Sequence, residues 1–470
     1  MLSGLVNAAE RPNILFCMAD DWGWPHAGAL GDKTVKTPVF DRLAKEGVLF
    51  TQAAVNVPSC TPCRNSILTG QAFYRLEQGA NLWSTLDVKF PTFVRELADA
   101  GYQTGHSQKA WGPGDYKAGG YKSNPCGPNF ENFSEFMAGR SKDKPFCFWL
   151  GTDDPHRPYE NGIGNKNGID LGSIKVPDFW PDDKKIRSDM ADYYYEVERW
   201  DSDVGKAIEA LKKAGELEST IVVMTGDHGM PFPRCKGNLY DWGSRVPLAI
   251  RWGKGIPNPG RRISDFVSLT DLAPTFLEAA GLPVPEVMTA NSILPLLKSS
   301  KEGFVDTSRD HHIMGRERHC PGQGPPLMTG YPSRGIRTEK WLYILNVEPD
   351  RWPAGAPAPK KFWNYWDCDP SPTKEVVLKT SGRGENIDYF QLCFSKRPKE
   401  ELYDVQADPY QLTNLAAVEK HAKIKADLKK RLVECLKETG DPRFSDHKKV
   451  AFDEYPWRHN SARREEFRQK

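Results

Sequence analysis

Three stretches of the chain are almost continuously apolar and lack the alternation of apolar and polar residues that marks a half-exposed strand. They span residues 13–19, 145–150 and 220–226. Apolar runs of this length are typical of strands buried on both faces, as in a parallel sheet covered by helices. The pattern therefore predicts an α/β protein with a mostly parallel sheet between two helical layers.

Segments with helical periodicity or helix-terminating residues lie between and after these strands. Pro91 and Gly101 bracket a predicted helix at 93–100, and Gly215 ends an amphipathic helix at 191–214. The same reasoning predicts one further strand and two further helices, at 341–345, 271–280 and 416–438.

Each of the three apolar runs leads into residues that can carry chemistry. Asp20-Asp21 follows the first run, His156 lies just after the second, and Asp227-His228 follows the third. Adjacent carboxylates repel each other unless a cation lies between them, and the Trp-Gly-Trp sequence after the first pair is not that of a solvated turn. Because parallel strands end at one edge of a sheet, the pattern predicts a single site there, with a metal ion.

The composition limits the classes of function. The chain has 470 residues, enough for two lobes, and a formal net charge of +2. A nearly neutral chain has no overall field that would attract nucleic acid or a membrane surface. No apolar run approaches the roughly 20 residues of a membrane span. We therefore expect neither nucleic acid nor a membrane as a partner.

The cysteines and the N-terminus bear on the cellular compartment. Ten cysteines are scattered without the spacing of a disulfide framework, which leaves one or two bridges open, for example Cys368 to Cys393. Residues 1–10 are apolar but too short for a complete signal peptide, and they fit the trimmed remnant of one. On this basis we expect a periplasmic or secreted protein.

The segment Pro58–Gly70 combines a thiol, a turn-forming proline and an arginine four residues after the thiol. With Cys60 at the start of a helix, the helix dipole and unpaired N–H groups favour an anion, and Arg64 lies on the same face. The spacing of Cys60 and Cys63 also allows a redox pair or half of a zinc site. However, zinc would need a second close cysteine pair, and the chain is far longer than a thioredoxin-like unit.

This segment resembles the signature of the type I sulfatase family, which is Cys-x-Pro-x-Arg followed a few residues later by Thr-Gly. Cys63 stands where the family usually has Ser, Ala or Thr, and the matching residues are Cys60, Pro62, Arg64, Thr69 and Gly70. In that family the cysteine is oxidised after translation to formylglycine, whose hydrated aldehyde is the nucleophile. The resemblance implies Cys60 as the catalytic nucleophile and a formylglycine-generating enzyme as a maturation partner.

Further motifs resemble the same family, in its order along the chain. Lys109, His156 and Lys236 match side chains that contact the sulfate, and His156 also the bridging oxygen. The resemblance implies that Arg64, Lys109 and Lys236 neutralise the sulfate oxygens while His156 protonates or steadies the leaving group. It also implies a Ca²⁺ ion whose ligands are Asp20, Asp21, Asp227, His228 and the residue formed from Cys60.

One position departs from the family pattern, and one segment points to a branch of the family. Trp111 stands where the family has an active-site histidine, and an indole cannot accept a proton. Trp111 either stacks on a sugar ring or packs beneath the site. The segment Gly229–Pro233 looks most like the sulfamidase (heparan N-sulfatase) branch, and residues 401–415 resemble the family's closing segment.

The resemblance implies an alkaline-phosphatase-like α/β/α sandwich. The expected domains are a catalytic domain at 1–330 and a smaller C-terminal α+β lobe at 331–470, with a short antiparallel sheet and a helix. The implied activity is sulfate hydrolysis from a sulfated polysaccharide or oligosaccharide. Three alternatives stay open: S–N cleavage by an N-sulfoglucosamine sulfohydrolase, a phosphodiesterase or phosphonate hydrolase of the same superfamily, and a catalytically silent glycan-binding relative.

Five basic residues lie within 22 positions near the predicted lobe junction: Arg316, Arg318, His319, Arg334 and Arg337. Arg337 is expected to be structural, because its surroundings resemble a strand start in the family. Ligand clefts tend to form between lobes, and arginine suits bidentate contact with carboxylate or sulfate. The other four residues, with Trp111, are therefore predicted to bind a uronate-bearing or multiply sulfated glycan.

Overall fold

A computed structural model describes residues 11–324, 327–358, 364–381, 387–445 and 451–458. Residues 1–10, on which the expectation of a periplasmic or secreted protein rests, lie outside the described residues. Within the described ranges, no helix combines the length and the apolar character needed to cross a membrane.

The larger sheet has eight strands among the described residues, in the order β4-β3-β5-β1-β6-β7-β2-β8. All neighbours in this sheet are parallel except those of β7, which runs antiparallel to β6 and β2. The three predicted strands are confirmed as β1, β5 and β6, at the centre of the sheet. The strands are β1 (Asn13–Ala19), β2 (Val48–Ala54), β3 (Gln103–Ser107), β4 (Asn129–Phe130), β5 (Phe146–Gly151), β6 (Thr220–Gly226), β7 (Leu248–Arg251) and β8 (Arg261–Ser268).

The predicted helices are present, two of them with shifted ends. The helix predicted at 191–214 begins earlier because the Asp183 side chain accepts a hydrogen bond from the Lys185 N–H and caps it. The helix predicted from residue 416 begins only at Ala422. The helices are α1 (Pro38–Glu46), α2 (Cys60–Thr69), α3 (Phe93–Asp99), α4 (Phe133–Gly139), α5 (Ile163–Lys166), α6 (Lys184–Lys213), α7 (Asp241–Ser244), α8 (Leu272–Ala279), α9 (Leu294–Lys298), α10 (Pro372–Leu378), α11 (Tyr389–Phe394) and α12 (Ala422–Glu438).

The central strand β1 shows why its sequence has no polar alternation. Ile14, Phe16 and Met18 belong to the hydrophobic cluster on one face of the sheet. Leu15 and Cys17 belong to the separate cluster on the other face. Each cluster is completed by helices, α3 and α8 in the first and α6 in the second. The predicted α/β/α sandwich is therefore confirmed, with both faces of the sheet covered.

The smaller sheet is antiparallel, in the order β12-β11-β10-β9, and α12 packs against its two inner strands. This confirms the predicted C-terminal α+β lobe. Its first strand lies before the boundary predicted at residue 331, and the division of the chain into domains stays a prediction. The strands are β9 (His311–Arg316), β10 (Ser333–Thr338), β11 (Trp341–Asn346) and β12 (Glu400–Asp404).

The cysteines are unpaired. All ten are free thiols, including Cys368 and Cys393, so the bridge considered between these two is not formed. Nine of the ten are buried, and burial explains their number without a disulfide framework.

Candidate active site

The register of the two central strands sets the geometry of the site. Ala19 of β1 pairs with Gly226 of β6, so the residues that follow each strand lie side by side. The backbone N–H of Asp21 donates to Asp227 Oδ1 at 2.9 Å. The two acidic segments, about 200 residues apart in sequence, thus form one cluster at the carboxyl edge of the sheet.

The thiol reaches this cluster from the start of α2. The helix begins at Cys60, and its N-cap residue, Ser59, makes no side-chain capping bond, so the first N–H groups of the helix stay available. His228 Nε2 lies 3.3 Å from Cys60 Sγ. The expectation that Cys60 occupies a helix N-terminus is confirmed. Burial raises the pKa of the Cys60 thiol, so the unmodified residue is a poor nucleophile.

Arg64 lies one turn further along α2, and its guanidinium is fully buried. It donates from Nε to Asp227 Oδ2 at 3.0 Å and from Nη2 to Asp20 Oδ1 at 3.2 Å. Nη1 donates to the carbonyl oxygens of Lys109 and Ala110, each at 2.8 Å. In this structure these donors hold two carboxylates and a loop in place, and the expectation that Arg64 neutralises sulfate oxygens stays a prediction.

All five residues of the predicted metal site provide ligand atoms close to others of the set. Asp20, Cys60 and Asp227 have ligand atoms that all lie within 4.8 Å of each other, as do Asp21, Cys60 and His228. Asp21 Oδ1 is buried and has no hydrogen-bond partner. Burial also raises the pKa of Asp21. A buried carboxylate oxygen without a partner is costly, and a bound cation would satisfy it, so the residues present fit a divalent ion.

Two lysines flank the carboxylates. Lys109 pairs with Asp20, and Lys236 Nζ donates to Asp21 Oδ2 at 2.8 Å. Burial would raise the pKa of Asp20, but Lys109, together with His156 and Arg64, holds it well below its usual range. Both lysines can turn an ammonium toward an anion in the same space.

The balance of charge also fits a cation. The side chains in contact here carry four negative and three positive charges, a net of −1 with neutral histidines. A divalent ion would change this to +1, which favours an anionic substrate. The charged residues counted are Asp20, Asp21, Asp227 and Asp369 against Arg64, Lys109 and Lys236.

His156 lies at the open side of the site. Its side chain is 32% exposed, and its Nε2 lies 3.9 Å from Asp21 Oδ2. Its Nδ1 lies 2.6 Å from the carbonyl oxygen of Arg157 and so carries the proton, which leaves Nε2 facing the site. The position suits contact with a leaving group that enters from solvent.

Sequence reasoning missed Asp369, which the structure brings to the same place. Its Oδ2 lies 3.4 Å from Lys236 Nζ. Burial would raise the pKa of Asp369, but the positive charge of Lys236 holds it below its usual range, so Asp369 is ionised. Asp369 lies in a loop rich in proline and tryptophan. Only the tertiary structure shows that this loop lies at the site.

His319 is the member of the basic cluster that reaches the catalytic helix. Its Nδ1 lies 2.8 Å from Oγ of Ser59, the residue before Cys60. Burial, Lys236 and Arg316 lower its pKa well below the ordinary value, so the ring is neutral. That His319 binds substrate stays a prediction. The structure adds its contact with Ser59, the residue that precedes α2.

The arginines of the basic cluster are almost entirely buried. Arg334 donates to Asp441 at 2.5 Å and to Glu317 at 2.6 Å, so its guanidinium is committed to the protein. Arg316 pairs with Asp367 and the Gly237 carbonyl, while its Nε is buried without a partner. These contacts favour a structural role for Arg334. Substrate contact by Arg316 and Arg334 stays a prediction.

The other two arginines differ from each other. Arg318 donates from Nη1 to the Tyr455 carbonyl at 2.9 Å, but its Nε and Nη2 are buried without a partner, so its predicted role stays open. Arg337 donates to both oxygens of Asp241 at 2.9 Å. The structure of Arg337 thus agrees with the expectation that it is structural.

Trp111 packs beneath the site instead of lining it. Its side chain belongs to the hydrophobic core, and its Nε1 donates to Asn65 Oδ1 at 2.7 Å. Only 7% of the residue is exposed. Of the two alternatives, this burial favours packing, because little of the indole face is available to a sugar. The role of Trp111 in substrate binding stays a prediction.

Cys63 has a structural contact that explains its place in the motif. Its Sγ donates to the Asp227 carbonyl at 2.9 Å, which ties α2 to the loop after β6. The groups of described residues able to hold a metal include Cys60 but not Cys63. The geometry therefore favours neither a zinc site nor a redox pair at these two cysteines.

A mostly parallel α/β/α sandwich with buried carboxylates, lysines and a helix-terminal thiol at its carboxyl edge is the architecture of alkaline-phosphatase-like hydrolases. The family model described as "Sulfatase" matches residues 12–282, more than half of the chain. The protein thus belongs to the sulfatase family and is a sulfuric ester hydrolase.

Similar proteins span nearly the whole chain. N-sulphoglucosamine sulphohydrolase of Homo sapiens is 28% identical, with 94% of this chain and 93% of the relative covered. An ulvan-active sulfatase of Formosa agariphila is 28% identical, with coverages of 94% and 83%.

Solved structures share the fold at lower identity. One, described as a complex with its substrate D-glucosamine-2-N,6-O-disulfate, has a TM-score of 0.64 at 20% identity and covers 93% of this chain and 100% of that one. Phosphonate monoester hydrolase from Silicibacter pomeroyi has a TM-score of 0.67 at 17% identity, with coverages of 93% and 97%.

Proposed function

We propose that this sulfatase removes sulfate from a sulfated oligosaccharide or polysaccharide, with formylglycine made from Cys60 and with bound Ca²⁺. The observation that carries the proposal is the meeting of Cys60 with Asp20, Asp21 and Asp227 at one sheet edge. The printed names of the relatives support a glycan substrate, since one acts on ulvan and another on N-sulphoglucosamine.

The chain's own residues divide the work at the site. Lys109 and Lys236 bind the sulfate oxygens, and charge neutralisation at these oxygens lowers the barrier to attack at sulfur. His156, at the open side, steadies or protonates the leaving oxygen. Arg64 acts through others, because it fixes the orientation of Asp20 and Asp227.

Two groups supplied after synthesis complete the proposed site. Formylglycine at position 60 supplies a hydrated aldehyde, and its hydroxyl is the nucleophile. Ca²⁺, held by Asp20, Asp21, Asp227 and His228 with residue 60, supplies positive charge that favours the ionised hydroxyl and the sulfate. A formylglycine-generating enzyme is the maturation partner in this proposal, and the protein acts in the periplasm or outside the cell.

S–N cleavage is the second candidate function. It is favoured by the 28% identity to N-sulphoglucosamine sulphohydrolase across 94% of this chain. The same site would serve both reactions, because the sulfur and its equatorial oxygens are alike and only the leaving atom differs.

The test is sulfate release from defined saccharides, measured by ion chromatography. Protein co-produced with a formylglycine-generating enzyme should release sulfate and should have an intact mass about 18 Da below that of the unmodified chain. Protein made without that enzyme should be inactive. Full turnover by protein whose Cys60 peptide is entirely unmodified would contradict the proposal.

The same assay separates the alternatives. O-sulfated and N-sulfated glucosamine report which bond is broken, and an aryl phosphate diester beside an aryl sulfate reports phosphodiesterase activity. A protein with correct mass and bound calcium that releases neither sulfate nor phosphate would be a silent glycan-binding relative.

A further inference from the structure

A cavity separate from the catalytic edge lies next to the loop that follows β1. Its volume is about 470 Å³, within the range of small-molecule sites. Its walls include four aromatic side chains, and none of its lining residues belongs to the catalytic site described above. The aromatic residues are Trp24, Tyr194, Trp242 and Tyr410.

The aromatic walls form a connected set of rings. Trp242 lies with its ring centre 6.2 Å from that of Trp24 and 6.0 Å from that of Tyr410. Trp24 and Tyr410 are only half-buried, so ring surface stays available to a ligand. Aromatic faces of this kind bind the C–H face of a sugar ring as well as other flat apolar groups.

The floor of the cavity contains a polar group without a partner. His26 is 1% exposed, and its Nδ1 lies 3.0 Å from Asp32 Oδ2. Because a carboxylate only accepts hydrogen bonds, Nδ1 carries the proton, which leaves Nε2 as an acceptor. Nε2 has no hydrogen-bond partner. A buried acceptor without a donor is costly, so a hydroxyl donor of a ligand at this wall of the cavity would stabilise it.

The rim gives the cavity its charge preference. Lys33 and Lys175 are exposed at the rim, and Lys175 Nζ lies 5.7 Å from the Tyr410 ring centre. Asp32, the lining carboxylate, is occupied by His26 and by the backbone N–H groups of Thr34 and Val35. The available charge at the rim is therefore positive and suits a carboxylate or sulfate group.

We propose that this cavity is an accessory binding site for an anionic saccharide, distinct from the catalytic site. The aromatic walls suit the face of a sugar ring. The two lysine ammonium groups at the rim suit an acidic substituent on that ring. The proposed function suggests where such a saccharide comes from, namely a distal unit of the substrate polymer, but the chemistry of the cavity is argued without it.

The experiment measures binding without turnover. The probe is a hyaluronan tetrasaccharide, which has carboxylates but no sulfate ester, and binding is followed by tryptophan fluorescence and saturation-transfer NMR. We expect saturable binding, with at least fivefold weaker affinity in Lys175→Ala and tenfold in the double variant Lys33→Ala/Lys175→Ala. Lys430→Ala, an equally exposed lysine on α12, is the matched control and should bind as the parent does.

Further arms place the ligand and define its class. Lys236→Ala should bind the probe normally, since the catalytic lysine is not part of the cavity. A fully sulfated tetrasaccharide, measured in Cys60→Ala to prevent hydrolysis, should lose affinity in Lys175→Ala by a similar factor. If His26→Gln folds, its affinity for the probe tests the contribution of the cavity floor. If it does not fold, the proposal is judged on the Lys33 and Lys175 variants, because replacing these exposed lysines leaves the core intact.

Several results would overturn the proposal. These are no saturable binding at millimolar probe, equal affinity for neutral cellotetraose, unchanged affinity in the double lysine variant, or loss of binding in Lys236→Ala. None of these results depends on whether the protein hydrolyses sulfate, so failure here and failure of the proposed function are distinguishable.

Discussion

Two regions of the molecule bury several charged side chains, and they differ in balance. The lobe junction, formed by Arg334, Glu317, Asp441 and Arg443 around β9 and β10, pairs each charge with an opposite one. The catalytic edge, at the carboxyl ends of β1 and β6, has a net charge of −1 and an unpartnered oxygen on Asp21. Buried charge alone therefore does not indicate function; incomplete pairing beside an opening does.

Access separates the two regions as well. Lys109 and His156 at the catalytic edge have side chains 16% and 32% exposed, whereas Arg334 and Asp441 are fully buried. Arg316 lies between the two regions. Its carbonyl accepts a hydrogen bond from Arg334, and its guanidinium pairs with Asp367, two residues before Asp369. Arg316 thus contacts the loop that brings Asp369 to Lys236.

The largest expected effect is at Cys60. We expect Cys60→Ala to lower kcat/KM for sulfate release by a factor on the order of 10⁴ or more, because the proposed nucleophile is formed from Cys60. Cys63→Ser is the matched control on the same helix. It should stay within about tenfold of the parent, since a hydroxyl can donate to the Asp227 carbonyl in place of the thiol. Similar losses in both variants would indicate that Cys60 contributes to the structure of α2 and does not form the nucleophile.

Arg334→Ala tests the closed region. It leaves Asp441 and Glu317 with a lost partner in the core, so we expect the free energy of unfolding in urea to fall by about 3–5 kcal/mol. Lys206→Ala, which breaks an exposed pair with Asp203, should change it by less than about 1 kcal/mol. A raised KM with unchanged stability in Arg334→Ala would indicate that Arg334 binds substrate.

Calcium should act on the open region alone. With Ca²⁺ at about 100 times its Kd, the parent should gain roughly 2.7 kcal/mol of stability over the chelated protein, seen as a higher Tm. Asp21→Asn removes one ligand charge and should lose most of that gain. The comparison uses the calcium-dependent gain within each protein, because Asp21→Asn also removes the carboxylate that pairs with Lys236 in the chelated form. A full calcium gain in Asp21→Asn would remove Asp21 from the metal site.

Acid should weaken the small sheet through His312 of β9. Burial lowers its pKa from 6.5 to about 4, and its Nε2 donates to the Val55 carbonyl at 2.9 Å. The unfolded chain then binds more protons between pH 6.5 and 4, so the stability from His312 is complete above pH 6.5 and is lost as the pH falls through that window. The expected slope is up to about 1.4 kcal/mol per pH unit.

His312→Gln provides the comparison, since its amide can donate to the same carbonyl but does not titrate. Its urea stability should depend less on pH across this window than that of the parent. Identical slopes in the two proteins would show that His312 keeps the same protonation state in the folded and unfolded chains.

Much of the site is encoded locally, and the sequence alone predicted that part. The apolar runs of β1, β5 and β6 identify strands buried on both faces, and strand ends in a parallel sheet must share an edge. Asp20, His156 and Asp227 could therefore be expected at one place before any coordinates, whereas Cys60 was assigned to that site by the family resemblance. The start of α2 at Cys60 also follows from short-range residue order.

Only the tertiary structure decided which charged residues are paired and which are free to act. Arg316, Arg334 and Trp111 resemble ligand-binding residues in sequence, but each is buried against a partner far along the chain, as with Arg334 and Asp441. Asp369 is the opposite case. No motif near it in the sequence indicates a functional residue, yet its loop brings it within 3.4 Å of Lys236. Periodicity reports the face on which a residue lies, whereas burial and pairing depend on contacts between distant segments, which a linear pattern does not contain.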